Sequence, residues 1–323
     1  MDVLDWLGFL SATEYLVDVL VKVHGLKEED AKRRAVQIVP HVRLAAGYIE
    51  QSLEGPRDLA FLPAYYAILN LSKVYVLLGH RHSELQKHRT HGVTYDVERK
   101  DSRTVLTEVI TLRPKGVFPL FYETLTGRPA SPQSIDLQVK DFLPCIAGIG
   151  HEYGLATGKQ MQLFTLQFGM EAAQGNTLST ATVLDLTTGL PTLPAKKFTV
   201  PCLKGFVRRP GSPNVFVGSV ITNQNLFVQE IRSQLETHLI FRRQQNTWTL
   251  IGPHKIEFPE EVPIWLLFFY MSSIVRYKPE FFSRLKDSKY WPPLSAARLH
   301  AFLDFLLSFW SFVHRKNYFL NLG

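Results

Sequence analysis

Apolar positions along the first eighty residues recur every three to four places, which is the period of an amphipathic or buried helix. Ser11-Ala12-Thr13-Glu14 has the form of a capping box and predicts a helix over Tyr15–Val23 that closes near Gly25. A second helix is expected from Glu28 to Leu53, with Glu28, Glu29 and Asp30 in its first turn and Gly55-Pro56 as its stop. Pro40 lies inside it and predicts a kink or break. A third runs from Pro63 to Leu78, with Pro63 in the first turn and Gly79 past the end. That third segment, PAYYAILNLSKVYVLLG, is apolar nearly all round, so it is expected to be buried on most sides. Its polar residues are Asn70, Ser72 and Lys73, and Asn70 and Lys73, three apart, share a face.

The polar stretch HRHSELQKHRTHG follows and carries four of the chain's 11 histidines. After about residue 103 the pattern shortens to β-type runs between Gly and Pro: Val117–Leu125, Gln160–Phe168, Ala181–Leu186, Phe198–Val200, Asn214–Val220 and Thr237–Phe241. Gln245-Asn246 reads as a turn into Thr247–Ile251, and Ser134–Ile149 reads as a helix capped by Ser134. From Pro259 the helical pattern returns. Pro263 opens a helix to Tyr277, Pro279 ends it, Glu280–Lys286 makes a short one, and Ser295 caps a long one to about His314. The fold class is therefore α+β: an N-terminal helical region (1–105), a β-rich middle (106–255) and a C-terminal helical region (256–323). Either the helical ends form one discontinuous domain with the β-rich part inserted, or the regions pack in sequence.

Composition narrows the class. With 323 residues, 46% of them hydrophobic, the chain can bury a large core. Cys145 and Cys202 are too few for a disulfide scaffold or a cysteine-rich metal site, and read as small core residues. The opening MDVLDWLGFL lacks the basic start of a secretory signal. The apolar run Val262–Val275 is shorter than the roughly 20 residues a bilayer requires. Ala296–Val313 is interrupted by Arg298, His300 and Asp304, so both runs are expected to be buried helices of a cytoplasmic protein with no membrane partner. The net charge of +7 is uneven: 14 Lys and Arg face 15 Asp and Glu in residues 1–110, 13 face 8 in 111–254, and 9 face 6 in 255–323. A basic middle and tail suit RNA, another nucleic acid or an acidic partner protein.

Ala64-Tyr-Tyr-Ala-Ile-Leu-Asn-Leu-Ser-Lys73, Gly79 and His91-Gly92 resemble the N-terminal signature of YaaC-like proteins. Pro263-Ile-Trp and Arg276-Tyr-Lys-Pro-Glu280 resemble that family's C-terminal signature, so the resemblance spans nearly the whole chain. It implies a fold more than an activity. The block from Tyr65-Tyr66-Ala67 through Gly79 to His91-Gly92-Val93 also resembles HEPN domains. That resemblance implies a helical bundle, often dimeric, which in many members is a metal-independent ribonuclease of toxin or defence systems and in others an inactive adaptor. The catalytic HEPN pattern is Arg, four to six residues, then His. Arg34 and His41 fit it, as do Arg81 and His88, whereas the C-terminal helices offer no such pair.

The local candidates each have a structural alternative. In His88-Arg89-Thr90-His91 a neutral histidine can take the proton of a ribose 2′-hydroxyl while Arg89 holds the phosphate. Alternatively, this is a polar inter-helix loop in which His91 caps backbone and Gly92 makes a turn. Asn70 and Lys73 are either a phosphate or substrate contact or a satisfied core pair with a carboxylate from the C-terminal helices. Arg276 and Lys278 either bind substrate together with His91 or simply offset a helix dipole before Pro279. In the β-rich part Lys204, Arg208, Arg209, Arg242 and Arg243, with Phe206 and Trp248 as stacking faces, form either a nucleic-acid surface or a solvated basic face. His80-x-His82 and His88-x-x-His91 have metal-compatible spacing, but only Glu84 and Asp96 add to them, so neither metal nor cofactor is expected. No Walker loop, dinucleotide fingerprint, HExxH or G-x-S-x-G occurs. The expectations are an RNA-directed HEPN-like ribonuclease or toxin/defence effector, or a non-catalytic adaptor that binds protein or nucleic acid, either of them a possible homodimer.

Overall fold

Pro40 sits inside a helix that the structure leaves whole. In the computed structural model, Glu28–Glu54 is one continuous α-helix, and Pro40 lies on its exposed side. The hydrogen bond that proline removes is the one to the carbonyl of Val36, itself 68% exposed, so water can replace it. The structure describes residues 3–87, 90–97, 104–146, 149–158, 163–173, 176–185, 207–212, 215–220, 241–244, 247–251 and 259–314. In chain order the elements are α1 (Val3–Leu10), α2 (Thr13–Lys22), α3 (Glu28–Glu54), α4 (Phe61–Leu78), β1 (Val93–Tyr95), β2 (Val109–Leu112), α5 (Val117–Thr126), β3 (Ile135–Gln138) and α6 (Val139–Phe142). There follow α7 (Gly150–Thr157), β4 (Leu163–Ala173), β5 (Asn176–Asp185), β6 (Val207–Arg208), β7 (Val215–Val220), β8 (Phe241–Gln244) and β9 (Thr247–Ile251). The chain closes with α8 (Glu261–Tyr277), α9 (Pro279–Lys286) and α10 (Trp291–His314). The class is α+β, with helical ends and antiparallel sheets between them.

Two compact units result. One takes the described residues up to Leu143 and those from Glu261 on; the other takes the stretch between. In the first, α4 is the central helix, packed by α3, α5, α8 and α10. Its aromatic residues bind the two ends of the chain together. Tyr75 lies among Phe121 of α5 and Phe305, Phe309 and Phe312 of α10, and Tyr65 meets Trp265 and Phe269 of α8 edge-on. Each such buried side chain contributes about 1.5–3 kcal/mol of transfer free energy, so contacts between the two ends of the chain supply a large part of this core. A small antiparallel sheet, β1-β2-β3, belongs to the same unit, with Ile110 opposite Leu137 and both buried. The division after Leu143 falls well beyond residue 105, because α5 packs on α4, and β1 and α6 pack on α8.

The second unit is a six-stranded antiparallel sheet of order β6-β7-β5-β4-β9-β8, with α7 alongside in sequence. β4 and β5 form its long central ladder, from Phe164 opposite Asp185 to Ala173 opposite Asn176. β8 and β9 pair from Phe241 opposite Leu250 to Gln244 opposite Thr247, as expected for strands flanking Gln245-Asn246. The run Phe198–Val200 and most of Thr237–Phe241 lie outside the described residues.

Several sequence expectations are corrected. Val117–Leu125 is helix α5, not a strand: Pro119 fits its first turn, and Gly127 closes it at φ 68°. Ser134–Ile149 is not one helix. Ile135–Gln138 pairs with β2, and a capping box of Gln138 and Asp141 then starts the single turn of α6. The Ser11 capping box does not form; the Ser11 hydroxyl donates back to the Gly8 carbonyl at 2.7 Å, and α2 starts at Thr13. α10 starts at Trp291, before Ser295, because Pro292 and Pro293 fit a first helical turn that needs no N–H donors. Two helices, Phe61–Leu78 and Trp291–His314, are long and apolar enough to cross a membrane, and α4 is enclosed here by protein.

Candidate functional site

On α4 only Leu62, Pro63, Tyr66 and Lys73 are not buried, so beyond its first turn this central helix reaches solvent at Tyr66 and Lys73 alone. Asn70 lies between them on the same face. Facing it, α3 presents Arg34, His41 and Tyr48 at seven-residue intervals, each about 10 Å along one stripe. The two stripes interlock. Arg34 donates to the Leu77 carbonyl at 3.1 Å and lies 3.2 Å from Nδ1 of His82. Tyr48 stacks on Tyr66, centroids 5.3 Å apart.

His41 Nδ1 is 3.0 Å from Oδ1 of Asn70, whose amide nitrogen donates to the Tyr66 carbonyl at 2.8 Å. That donation orients the amide, so Oδ1 can only accept and His41 carries its proton on Nδ1. The lone pair of the neutral ring is then on Nε2. Burial lowers the His41 pKa, the Asn70 bond partly offsets this, and the charge of Lys73 lowers it further.

His91 is held by its backbone. The carbonyls of Thr90 and His91 accept from the first two amides of α5, Val117 N at 3.0 Å and Phe118 N at 2.9 Å. The described part of the loop, Thr90 and His91, therefore caps that helix. Gly92 has φ 81°, and a Cβ there would lie 2.5 Å from Cδ of Pro119. Gly116 opposes it at φ 136°, where a Cβ would lie 2.3 Å from Gly92 N. Only two glycines permit this approach. The ring of His91 is fixed by the Tyr65 hydroxyl, 2.7 Å from Nδ1. Tyr65 is fully buried, and burial raises its pKa well above the ordinary value, so it stays a neutral hydroxyl.

From α8, Arg276 folds back to donate to the Ser272 carbonyl at 3.1 Å and to the Tyr66 hydroxyl at 3.2 Å. Its guanidinium lies 4.8 Å from the ring centre of Tyr277, and Lys278 Nζ lies 5.2 Å from that of Tyr95. Burial lowers the pKa of His91, and Arg276 and Lys73 lower it further. Burial alone lowers that of Lys73.

His41, Lys73, His91 and Arg276 thus come from four separate segments into one neighbourhood. All four are half-buried, and none of the groups that shift His41, Lys73 or His91 is a carboxylate. Among the described residues neither Lys73 nor Arg276 has an ion pair. The carboxylate partner expected for a structural Lys73 is therefore not found there, whereas the Asn70 amide is bonded through both its oxygen and its nitrogen. Half-buried cations with no counter-charge among the described residues favour a bound anion. The chemistry on offer is charge neutralisation by Lys73 and Arg276 and proton transfer by two imidazoles.

Other candidates fall elsewhere. His88 and Arg89 lie outside the described residues, as do Lys204 and Phe206. Arg208 stands in β6 opposite Phe216, and Arg242 and Arg243 stand in β8 opposite Thr249 and Trp248. Arg209 is ion-paired with Glu171, so its charge is offset. Arg81 and His80 face Glu123 at 3.3 and 3.7 Å. Sequence reasoning gave His41 only as half of an Arg-to-His spacing and passed over Tyr48; the seven-residue repeat of Arg34, His41 and Tyr48 is the signal that finds them.

The family model for YaaC-like protein matches residues 10–305, a span that includes every member of this cluster. No curated protein and no solved structure matches the chain.

Proposed function

From the premise that this chain belongs to the YaaC-like family, we propose that the cluster holds a phosphate of RNA and that the protein is a cytoplasmic, RNA-directed effector with metal-independent ribonuclease chemistry. The observation that carries this reading is the meeting of His41, Lys73, His91 and Arg276 with no facing carboxylate among the described residues. Lys73 and Arg276 neutralise the non-bridging oxygens of a phosphodiester. His41, neutral with its lone pair on Nε2, takes the proton of the ribose 2′-hydroxyl, and the 2′ oxygen attacks phosphorus. The bond from phosphorus to the 5′ oxygen breaks, and His91, protonated in the field of the bound phosphate, gives its proton to that oxygen. The products are a 2′,3′-cyclic phosphate and a 5′-hydroxyl.

A second reading, an adaptor that binds RNA or a partner protein without turnover, is favoured by Arg34. The Arg-to-His spacing suggests that Arg34 serves His41, yet its guanidinium is engaged by Leu77 and His82. Incubating total RNA with wild-type protein and with His91→Ala, EDTA present, separates the two. Cleavage by wild type alone, ending in cyclic phosphate, is expected, as is growth arrest on unrestrained expression. Retention of RNA without cleavage by either protein leaves the adaptor.

A further inference from the structure

Arg276 belongs to the phosphate cluster on one side and to an aromatic face on the other. Its guanidinium bonds the Tyr66 hydroxyl and lies over the ring of Tyr277, which is 53% exposed and, among the described residues, has no other ring or cation partner. Two further aromatic groupings adjoin it. Tyr48 stacks on Tyr66, whose ring centre is 5.8 Å from Arg276, and Lys278 lies over Tyr95. Cations and aromatic rings therefore alternate along the rim where α8 ends, beside His91 and Lys73.

We infer that the strand taken by this site is unpaired, with one base lying on the exposed ring of Tyr277 and the adjoining phosphate on Arg276 and Lys73. This rests on the RNA reading above and adds the form of the RNA. Base stacking on an aromatic side chain requires a free base face, and in a duplex both faces are covered by neighbouring pairs. A duplex presents its phosphates on its outer surface, whereas His91 and Lys73 are half-buried and are reached more easily by a backbone that can bend toward them. Alternating cations and rings suit a flexible strand, because the cations follow the backbone and the rings take bases of any sequence.

The test uses the full chain and fluorescence anisotropy. The probe is a short, unstructured, fluorescein-labelled oligoribonucleotide with 2′-O-methyl groups that block cleavage, alone or annealed to its complement. The single strand should bind at least about tenfold more tightly than the duplex. Tyr277→Ala should weaken single-strand binding by about tenfold, Tyr277→Phe should keep it, and neither should change duplex binding. Because the ring is exposed, neither substitution disturbs the core. Inorganic pyrophosphate should displace the strand, and Lys73→Met should abolish both interactions. Equal affinity for the two probes, or a Tyr277→Ala protein indistinguishable from wild type, overturns the inference. If pyrophosphate still competes in that case, the phosphate site stands. If no oligonucleotide binds, the RNA reading falls as well.

Discussion

Lys73 holds an ammonium half-buried on α4, and burial alone depresses its pKa. A lysine retained for packing would lose contacts on substitution, whereas one retained for ligand binding strains the free protein. Lys73→Met keeps the aliphatic length and removes the charge. Its stability in urea unfolding is expected to be unchanged or raised by about 1 kcal/mol, while stabilisation by phosphate or pyrophosphate disappears. A loss of more than about 2 kcal/mol instead would mark a structural lysine. The histidines supply a pH signature. His41 and His91 have folded pKa values below the ordinary imidazole value, for which burial is the main cause. Below about pH 6.5 the unfolded rings take protons that the folded ones still refuse. The unfolded state then binds more protons, so stability falls as pH falls through this window and is regained above it. Bound phosphate opposes this by favouring both imidazolium forms. The rise in melting temperature caused by phosphate should therefore grow from pH 7.5 to 5.5, and His91→Gln should flatten both trends.

Among the elements, the turn of His91-Gly92 against the start of α5 positions the cluster. Gly92 and Gly116 approach so closely that a methyl group on either meets backbone or the Pro119 ring. Gly92→Ala combines that clash with a positive φ, and should cost about 2 kcal/mol or more in thermal or chemical unfolding. The surviving folded fraction should respond to phosphate as weakly as His91→Ala, because the carbonyl that caps α5 and the imidazole belong to one residue. A Gly92→Ala protein with full stability and full phosphate response would separate the loop from the site. Tyr65 contributes in the same way from α4, where burial among Trp265 and Phe269 fixes its hydroxyl against the ring of His91.

At the level of the whole molecule, the first unit is discontinuous, and so is the cluster within it. His41, Lys73 and His91 precede the inserted β-rich stretch, and Arg276 follows it. α4 has almost no solvent-facing surface, and α8 and α10 cover much of what would otherwise be exposed. A fragment of residues 1–143 should therefore show helical far-UV circular dichroism without near-UV signal or cooperative melting. Adding residues 261–323 as a second chain should restore both if the two parts still recognise each other. A fragment that melts cooperatively by itself would show that the core closes without the C-terminal helices.

The helical period, the Pro and Gly stops and the mostly apolar run from Pro63 to Leu78 determined by themselves the long helices, the α+β class and the burial of α4. Such signals are local, and each is written within a few turns of chain. The sequence also marked His91, Asn70, Lys73 and Arg276, because a polar side chain on an apolar helix and a His-Gly pair are conspicuous without any partner. What they touch could not be read from spacing. Val117–Leu125 has the run length and composition of a strand, and it is a helix because the carbonyls of Thr90 and His91, more than twenty residues earlier, cap its first amides. Ile135–Gln138 follows a good helix cap, and it is a strand because β2 offers it a ladder. The meeting of Arg276 with Tyr66, 210 positions away, and the absence of a carboxylate among the described groups acting on Lys73 were settled by the packing of α8 on α4. Tertiary structure alone chooses between a paired and an unpaired lysine, because that choice depends on which distant surface closes over the helix.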